Sequence, residues 1–249
     1  WNRTPNRLKP LQKLGAIVAK TPQEATQKAD IVFEVTANDA SSRKVWKQIL
    51  KEADKSKTLI TCATLSVDWT DQLSKMCAKK GLTFFDMPMT GGRIGAETGN
   101  LSLLVGGNKA KLDKLKPILR AIAGNITYFG QAGSGMRFKL ILNSIQGMHI
   151  QALGEALVLA KKAKLPLKTV GDFLSQRPGG VITNMAWQGY QKTPKPINFS
   201  VEWITKDLTY AKKMAGKIKL PLLDKVLDKY RLAMKKKLAQ KDWTEVNRF

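Results

Sequence analysis

The sequence changes rhythm near Gln131, and that change limits the possible folds. Before it, short apolar runs alternate with amphipathic stretches; beyond it, the apolar pattern takes the helical period. The stretch from Gly133 to Lys164, GSGMRFKLILNSIQGMHIQALGEALVLAKKAK, begins in glycines and continues as one helical pattern. Met136, Leu140, Ser144, Met148, Ala152 and Ala156 recur every four residues, and Ile141, Ile145 and Leu159 widen that face. The spacing predicts one long helix, buried along much of its length. Lys139 and Asn143 lie one turn apart on it, so both side chains can project toward one small polar ligand. An amine with a neutral amide a turn away has the makings of a general acid and its positioner. On spacing alone, a surface lysine beside a surface asparagine is the plainer reading.

Upstream, Leu8 to Leu14 reads as a short helix and Ala16 to Ala19, after Gly15, as a small apolar strand. Thr21-Pro22-Gln23-Glu24 has the form of a helix start, with a capping threonine, a proline at the first helical position and a glutamate three residues on. Ile31 to Val35, Thr58 to Cys62, Leu82 to Phe85, Asn100 to Gly106 and Ile126 to Phe129 read as strands, with helices between most of them. This alternation with short loops predicts a parallel sheet covered by helices. The polar loops after Val35, Cys62 and Phe85 are then expected at the carboxyl edge of the sheet, where ligands bind in open α/β folds. In DMPMTGGRIGAETGNLSLLVGG, Thr90-Gly91-Gly92 permits a turn whose amides and hydroxyl face a small anion, or simply a tight connection. Downstream, helices are expected from Thr169 to Ser175, Trp203 to Ile218 and Leu220 to Met234, with Gly179-Gly180 a helix break or a ligand approach.

A chain of 249 residues with 43% apolar content can bury a core, and no apolar run is long enough to span a membrane. Cys62 and Cys77 form neither a disulfide framework nor a metal spacing, which favours a reducing compartment, read as the cytoplasm. The lone His149 cannot build a histidine metal site, and no metal is expected. The formal net charge of +24 draws polyanions or a phosphate-bearing cofactor. The lysines are scattered, with denser patches at 161–164, 212–219 and 235–237, and nothing has the spacing of a nucleic-acid-reading motif. Solvated basic faces are the expectation, with nucleic-acid recognition as the rival reading.

Three segments, in order, resemble the β-hydroxyacid dehydrogenase family, which includes 3-hydroxyisobutyrate dehydrogenases and glyoxylate/succinic semialdehyde reductases. DMPMTGGRIGAETGNLSLLVGG resembles the family's substrate loop, with Thr90 where serine is usual. GSGMRFKLILNS is similar to the segment carrying the family's catalytic lysine, here Lys139, and its substrate-positioning asparagine, here Asn143. ITKDL resembles the motif that closes over the nicotinamide, with Lys206 and Asp207. The opening WNRT is similar to the family's ribose loop, which implies cofactor contacts at Asn2, Arg3 and Thr4. Arg3 there could pair with a 2′-phosphate, favouring NADP with NAD possible. Thr36, Ala37, Ser41 and Thr64 match further cofactor positions; Thr61 and Ala63 stand where the family generally has Asp and Ser.

The resemblance implies an α/β fold, an incomplete Rossmann-like domain at 1–130 followed by an all-helical domain at 131–249. It also implies hydride transfer between NADP(H) and a small β-hydroxyacid, short semialdehyde or glyoxylate; the alternative it leaves is a non-enzymatic scaffold of the same fold, associated with nucleic acid or chromatin. Lys139 would act as general acid/base, with Asn143, Thr90, Gly91 and Gly92 holding the substrate. A homodimer or homotetramer joined through helices is the implied assembly. By the family's pattern a first strand, glycine-rich turn and helix precede Trp1, and no GxGxxG occurs in the sequence. Either the sequence is incomplete, which is the favoured expectation, or that unit was lost; this 249-residue form is expected to bind NADP(H) poorly.

Overall fold

The computed structural model describes residues 1–176 and 180–249. Two compact units divide the chain: Trp1–Gly91 with Gly95–Phe138, and Gly92–Ile94 with Lys139–Phe249.

In the first unit, a 3-10 turn at Pro5–Leu8 leads into α1 (Lys9–Lys13), followed by α2 (Pro22–Gln27), β1 (Ile31–Glu34), α3 (Asp39–Glu52) and β2 (Thr58–Thr61). Then come α4 (Val67–Lys79), β3 (Thr83–Asp86), β4 (Met89–Thr90), α5 (Gly92–Glu97, which begins in the other unit), β5 (Leu101–Gly106), α6 (Lys109–Leu119) and β6 (Ala123–Gly130). The helices start where short polar side chains can take an otherwise unpaired N–H. Thr21 accepts from the Glu24 amide, Asn38 from Ser41, Ser66 from Trp69 and Asn108 from Lys111.

β1, β2 and β3 are parallel neighbours, as the alternation predicts. The rest of the sheet departs from an all-parallel arrangement. β3 passes through Met87 and Pro88 into β4, and the chain then turns back at Gly91 (φ 121°) and Gly92 (φ 61°). β5 therefore returns antiparallel to both, pairing Gly106 with Asp86, Leu103 with Met89 and Ser102 with Thr90, while β6 runs parallel to β5. Residues 16–19 do not form the expected strand. Ala16 donates its N–H back to Leu11, Ile17 is 89% exposed, and no strand lies alongside among the described residues. An apolar run without a neighbour to complete its backbone ladder has no reason to extend. Trp1–Thr4 is likewise irregular, with the Thr4 N–H donating to Asn2 Oδ1.

Adjacent strand residues feed opposite faces of the sheet. Leu59 and Phe84 join Trp46, Ile49, Leu73 and Met136 on one side; Ile60 and Phe85 join Leu103, Val105, Leu112 and Leu119 on the other. Cys62 and Cys77 are free and buried, and burial pushes both thiols up to about 12.

The second unit holds α7 (Ser134–Lys162) from Lys139 onward, α8 (Leu167–Ser175), α9 (Gly180–Gln191), α10 (Val201–Ala215), α11 (Pro221–Lys235) and a 3-10 turn at Trp243–Arg248. α9 is absent from the sequence reading. Gly180 opens it, and Gly179, the other half of the expected break, lies outside the described residues. Gly171 lets α8 approach α9 closely, since a Cβ there would stand 2.2 Å from the Trp187 ring.

The long helix forms as expected, over 29 residues, but its buried face is rotated from the expected one. Met136, Leu140, Asn143, Gly147, Ile150, Leu153, Leu157 and Ala160 are buried. Ile141, Ile145 and Leu159 are 54%, 49% and 70% exposed, and Ala152 is exposed too. The inner line advances by steps of three or four residues, which keeps one stripe inward over many turns; a strict four-residue step drifts around the helix.

Candidate active site

In the second unit α7 and α10 bring four polar side chains together. Lys139 and Asn143 come from successive turns of α7, and Lys206 and Asp207 from α10, which starts where Ser200 accepts the Trp203 N–H. Asn143 Nδ2 donates to Asp207 Oδ2 at 2.6 Å. The Lys206 ammonium stands 3.0 Å from Oδ1, an ion pair without a well-directed hydrogen bond, so Oδ1 is left unsatisfied inside the protein. Lys139, Asn143 and Asp207 are 7%, 3% and 1% exposed. Polar groups are seldom buried to this degree unless they are paired or serve chemistry.

Burial pulls the Lys139 amine from its ordinary 10.5 down to about 8. The Asp207 carboxylate opposes that fall and the Lys206 charge adds to it. An ammonium with such a value is mostly protonated at neutral pH yet readily gives up its proton, the property a general acid needs. The arrangement is a buried proton donor with an amide fixed beside it by a carboxylate. Asn143 donates from Nδ2 to Asp207, and an amide also carries a carbonyl oxygen that can accept.

In the first unit the carboxyl ends of β1, β2 and β3 share one edge, and their loops carry the other proposed positions. Thr36 follows β1, and its hydroxyl oxygen is buried without a hydrogen-bond partner. Ala37 adjoins it, and Ser41 gives its N–H to the Asn38 cap of α3. Thr64 follows β2. The two loops are tied by Asp39, whose carboxylate accepts from the Ser66 N–H at 2.9 Å and the Ser66 hydroxyl at 2.5 Å. An unsatisfied hydroxyl at this edge suits a polar ligand such as a dinucleotide. Asn2 is half-buried and Arg3 and Thr4 are exposed. Thr90 and Gly91 lie at the β4–α5 turn in the first unit, and Gly92 falls in the second. Both glycines have positive φ, a backbone that residues with a Cβ rarely adopt.

Two groups had no signal in the sequence reading. Asp39 joins residues 27 positions away, and Asp86 receives the Gly133 and Met136 N–H groups from 47 and 50 positions away. Burial pushes the Asp86 carboxyl up to about 7, against the pull of those two amides and of Arg137. A strand-ending aspartate and the glycines that open α7 were each visible; their pairing was not. Among the described residues no cluster of His, Cys, Asp and Glu could hold a metal ion, and no helix is long and apolar enough to cross a membrane.

Comparison with known proteins covers both units. Residues 1–130 match the family described as the NAD binding domain of 6-phosphogluconate dehydrogenase. Residues 133–249 match the one described as NAD-binding of NADP-dependent 3-hydroxyisobutyrate dehydrogenase. The chain is 30% identical over 175 residues to 2-hydroxy-3-oxopropionate reductase of Escherichia coli strain K12, a match covering 67% of this chain and 60% of that protein. It is 28% identical over 218 residues to glyoxylate/succinic semialdehyde reductase 1 of Arabidopsis thaliana, covering 85% and 74%. The solved structure of Mycobacterium tuberculosis 3-hydroxyisobutyrate dehydrogenase with L-serine aligns with a TM-score of 0.87 at 25% identity, over 99% of this chain and 88% of that one. The chain belongs to the family of NAD(P)-binding oxidoreductases that holds the 3-hydroxyisobutyrate dehydrogenases and the glyoxylate/succinic semialdehyde reductases.

Proposed function

We propose that the chain transfers a hydride between NADP(H) and a small β-hydroxyacid or short semialdehyde, with Lys139 as the proton donor and acceptor. The observation that carries this reading is the buried Lys139 amine, lowered to about 8, beside the Asn143–Asp207 pair. When bound, the nicotinamide supplies or receives the hydride. Residues 1–130 hold the cofactor and 131–249 supply the amine. Asn2, Arg3, Thr4, Thr36, Ala37, Ser41 and Thr64 contact the dinucleotide. Arg3 gives the preference for NADP, because a guanidinium can engage a 2′-phosphate through two hydrogen bonds.

In the reducing direction the Lys139 ammonium donates its proton to the carbonyl oxygen and its charge stabilises the oxyanion that forms. In the oxidising direction the neutral amine takes the hydroxyl proton. Asn143 orients the substrate, and its own orientation is fixed by Asp207 Oδ2. Thr90 and the Gly91 and Gly92 amides hold the substrate carboxylate. Lys206 assists closure over the cofactor and balances Asp207, which otherwise would be a buried uncompensated charge. Exclusion of water around Lys139 both lowers its affinity for the proton and strengthens its field on the substrate.

A second copy of the chain is the proposed partner. Ile141, Ile145, Ala152 and Leu159 form an apolar stripe along α7 that a soluble monomer would leave wet. Two free, buried cysteines suit a reducing compartment, and the cytoplasm is the proposed location. The test is NADPH-dependent reduction of glyoxylate and of succinic semialdehyde by the full-length protein and by its Lys139→Ala variant. A loss of about 10²–10⁴ in turnover is expected; equal rates would remove the role given to Lys139.

A further inference from the structure

One carboxylate holds the start of the helix that carries the amine. Asp86, at the end of β3, is fully buried. Its Oδ1 accepts the Gly133 N–H and its Oδ2 the Met136 N–H, both at 2.6 Å. These N–H groups belong to the start of α7, where a helix leaves donors without intrahelical partners and its dipole favours an anion.

The surroundings are shaped to admit this contact. A Cβ on Gly106 would stand 2.3 Å from Asp86 Oδ1 and 2.9 Å from the Gly135 nitrogen. A Cβ on Gly135 would stand 2.1 Å from the Leu104 carbonyl oxygen. Gly133 takes φ 96°, which turns its N–H toward the carboxylate at little steric cost. The same turn has two more ties. The Leu65 N–H lies 3.2 Å from the Met136 sulfur, and Arg137 donates to both oxygens of Asp71 at 3.0 and 2.7 Å.

Lys139 follows Met136 by three residues on the same uninterrupted helix. A frayed first turn would unwind the backbone that aims the amine and would let water reach it.

We propose that Asp86 is a positioning residue for Lys139: by locking the first turn of α7 it keeps the amine in its buried setting beside Asp207. Asp86 acts through the helix and does not touch the reacting atoms. The catalytic consequence rests on the proton-donor role given to Lys139; the structural link from Asp86 to the amine does not.

The test reads the amine itself. Competitive trace acetylation, followed by mass spectrometry of the peptide containing Lys139, reports that residue's titration in the intact protein. In Asp86→Asn, whose amide can serve only one of the two N–H groups as acceptor, the titration is expected to rise from about 8 toward the ordinary 10.5. Hydrogen exchange in the first turns of α7 is expected to speed up with it. A Lys139 titration left at its original value, with the protein merely less stable, would overturn the proposal. If Asp86→Asn does not fold, Arg137→Met loosens the same turn from a half-exposed position. An upward shift there supports the link, and no shift rejects it. Turnover separates the two claims: with Lys139 as the acid, Asp86→Asn should lower kcat by about ten- to a hundredfold while leaving the KM for cofactor near its starting value. Undiminished turnover in Lys139→Ala would dismiss the acid role and leave the acetylation result to decide the link alone.

Discussion

Lys139 carries a proton that its surroundings make easy to release. Reduction requires the ammonium and oxidation the free amine. Turnover in the reducing direction should therefore fall as pH rises through about 8, while oxidation of the corresponding hydroxyacid rises over the same range. Initial rates in both directions across that range check this. The same lowering has a stability cost. The folded state gives up the proton near 8 and the unfolded chain near 10.5, so between those values the unfolded chain binds more protons and stability climbs with pH. The difference, 10.5 − 8 = 2.5, corresponds to roughly 3 kcal/mol at neutral pH. Lys139→Met should accordingly be more stable than the parent at pH about 7, with the advantage shrinking as the parent deprotonates above about 8; urea titrations at the two ends of the range measure it. That Lys139 and Asn143 could face one ligand was legible from the single turn of helix between them, although spacing alone favoured a plain surface pair and only the family resemblance singled it out. The counter-ion was not legible, because nothing in the spacing of ITKDL shows which face of α10 Asp207 occupies.

At the level of single elements, two glycines of α7 make opposite predictions. Gly135 sits where a Cβ would overlap the Leu104 carbonyl, so Gly135→Ala must push backbone against backbone. A loss of about 3 kcal/mol or more is expected, read as a lower denaturation midpoint. Gly147 lies in mid-helix, where a Cβ would meet Ile204 and Leu208 at 3.5–3.7 Å, an ordinary packing distance. Gly147→Ala should raise stability by about 0.5–1 kcal/mol, because alanine gives up less backbone freedom on folding. The strands β1, β2 and β3 could be read in advance, since each is a compact apolar run and capped helices follow the first two. The direction of β5 could not, because it depends on the path taken through Met87 to Gly92 and not on the apolar run itself. Ala16–Ala19 shows the converse: its composition suits a strand, but a strand also needs a neighbour.

For the whole molecule the exposed side of α7 matters most. Ile141, Ile145, Ala152 and Leu159 looked like core from their period, and period alone does not distinguish a face covered within the chain from one covered by another copy. Ile145→Asp should shift the protein toward monomer in sedimentation velocity, with the far-ultraviolet circular dichroism unchanged. Added salt should leave the proposed self-association through this apolar face intact while weakening any attraction of the +24 charge to polyanions. One feature of the interior also bears on laboratory use. Cys62 and Cys77 are enclosed and, with values near 12, remain thiols and not thiolates at any pH the fold ordinarily meets. A cysteine introduced on the surface would thus be the sole group to react quickly with a maleimide, so dyes or spin labels can be attached at chosen points without first removing the native sulfur.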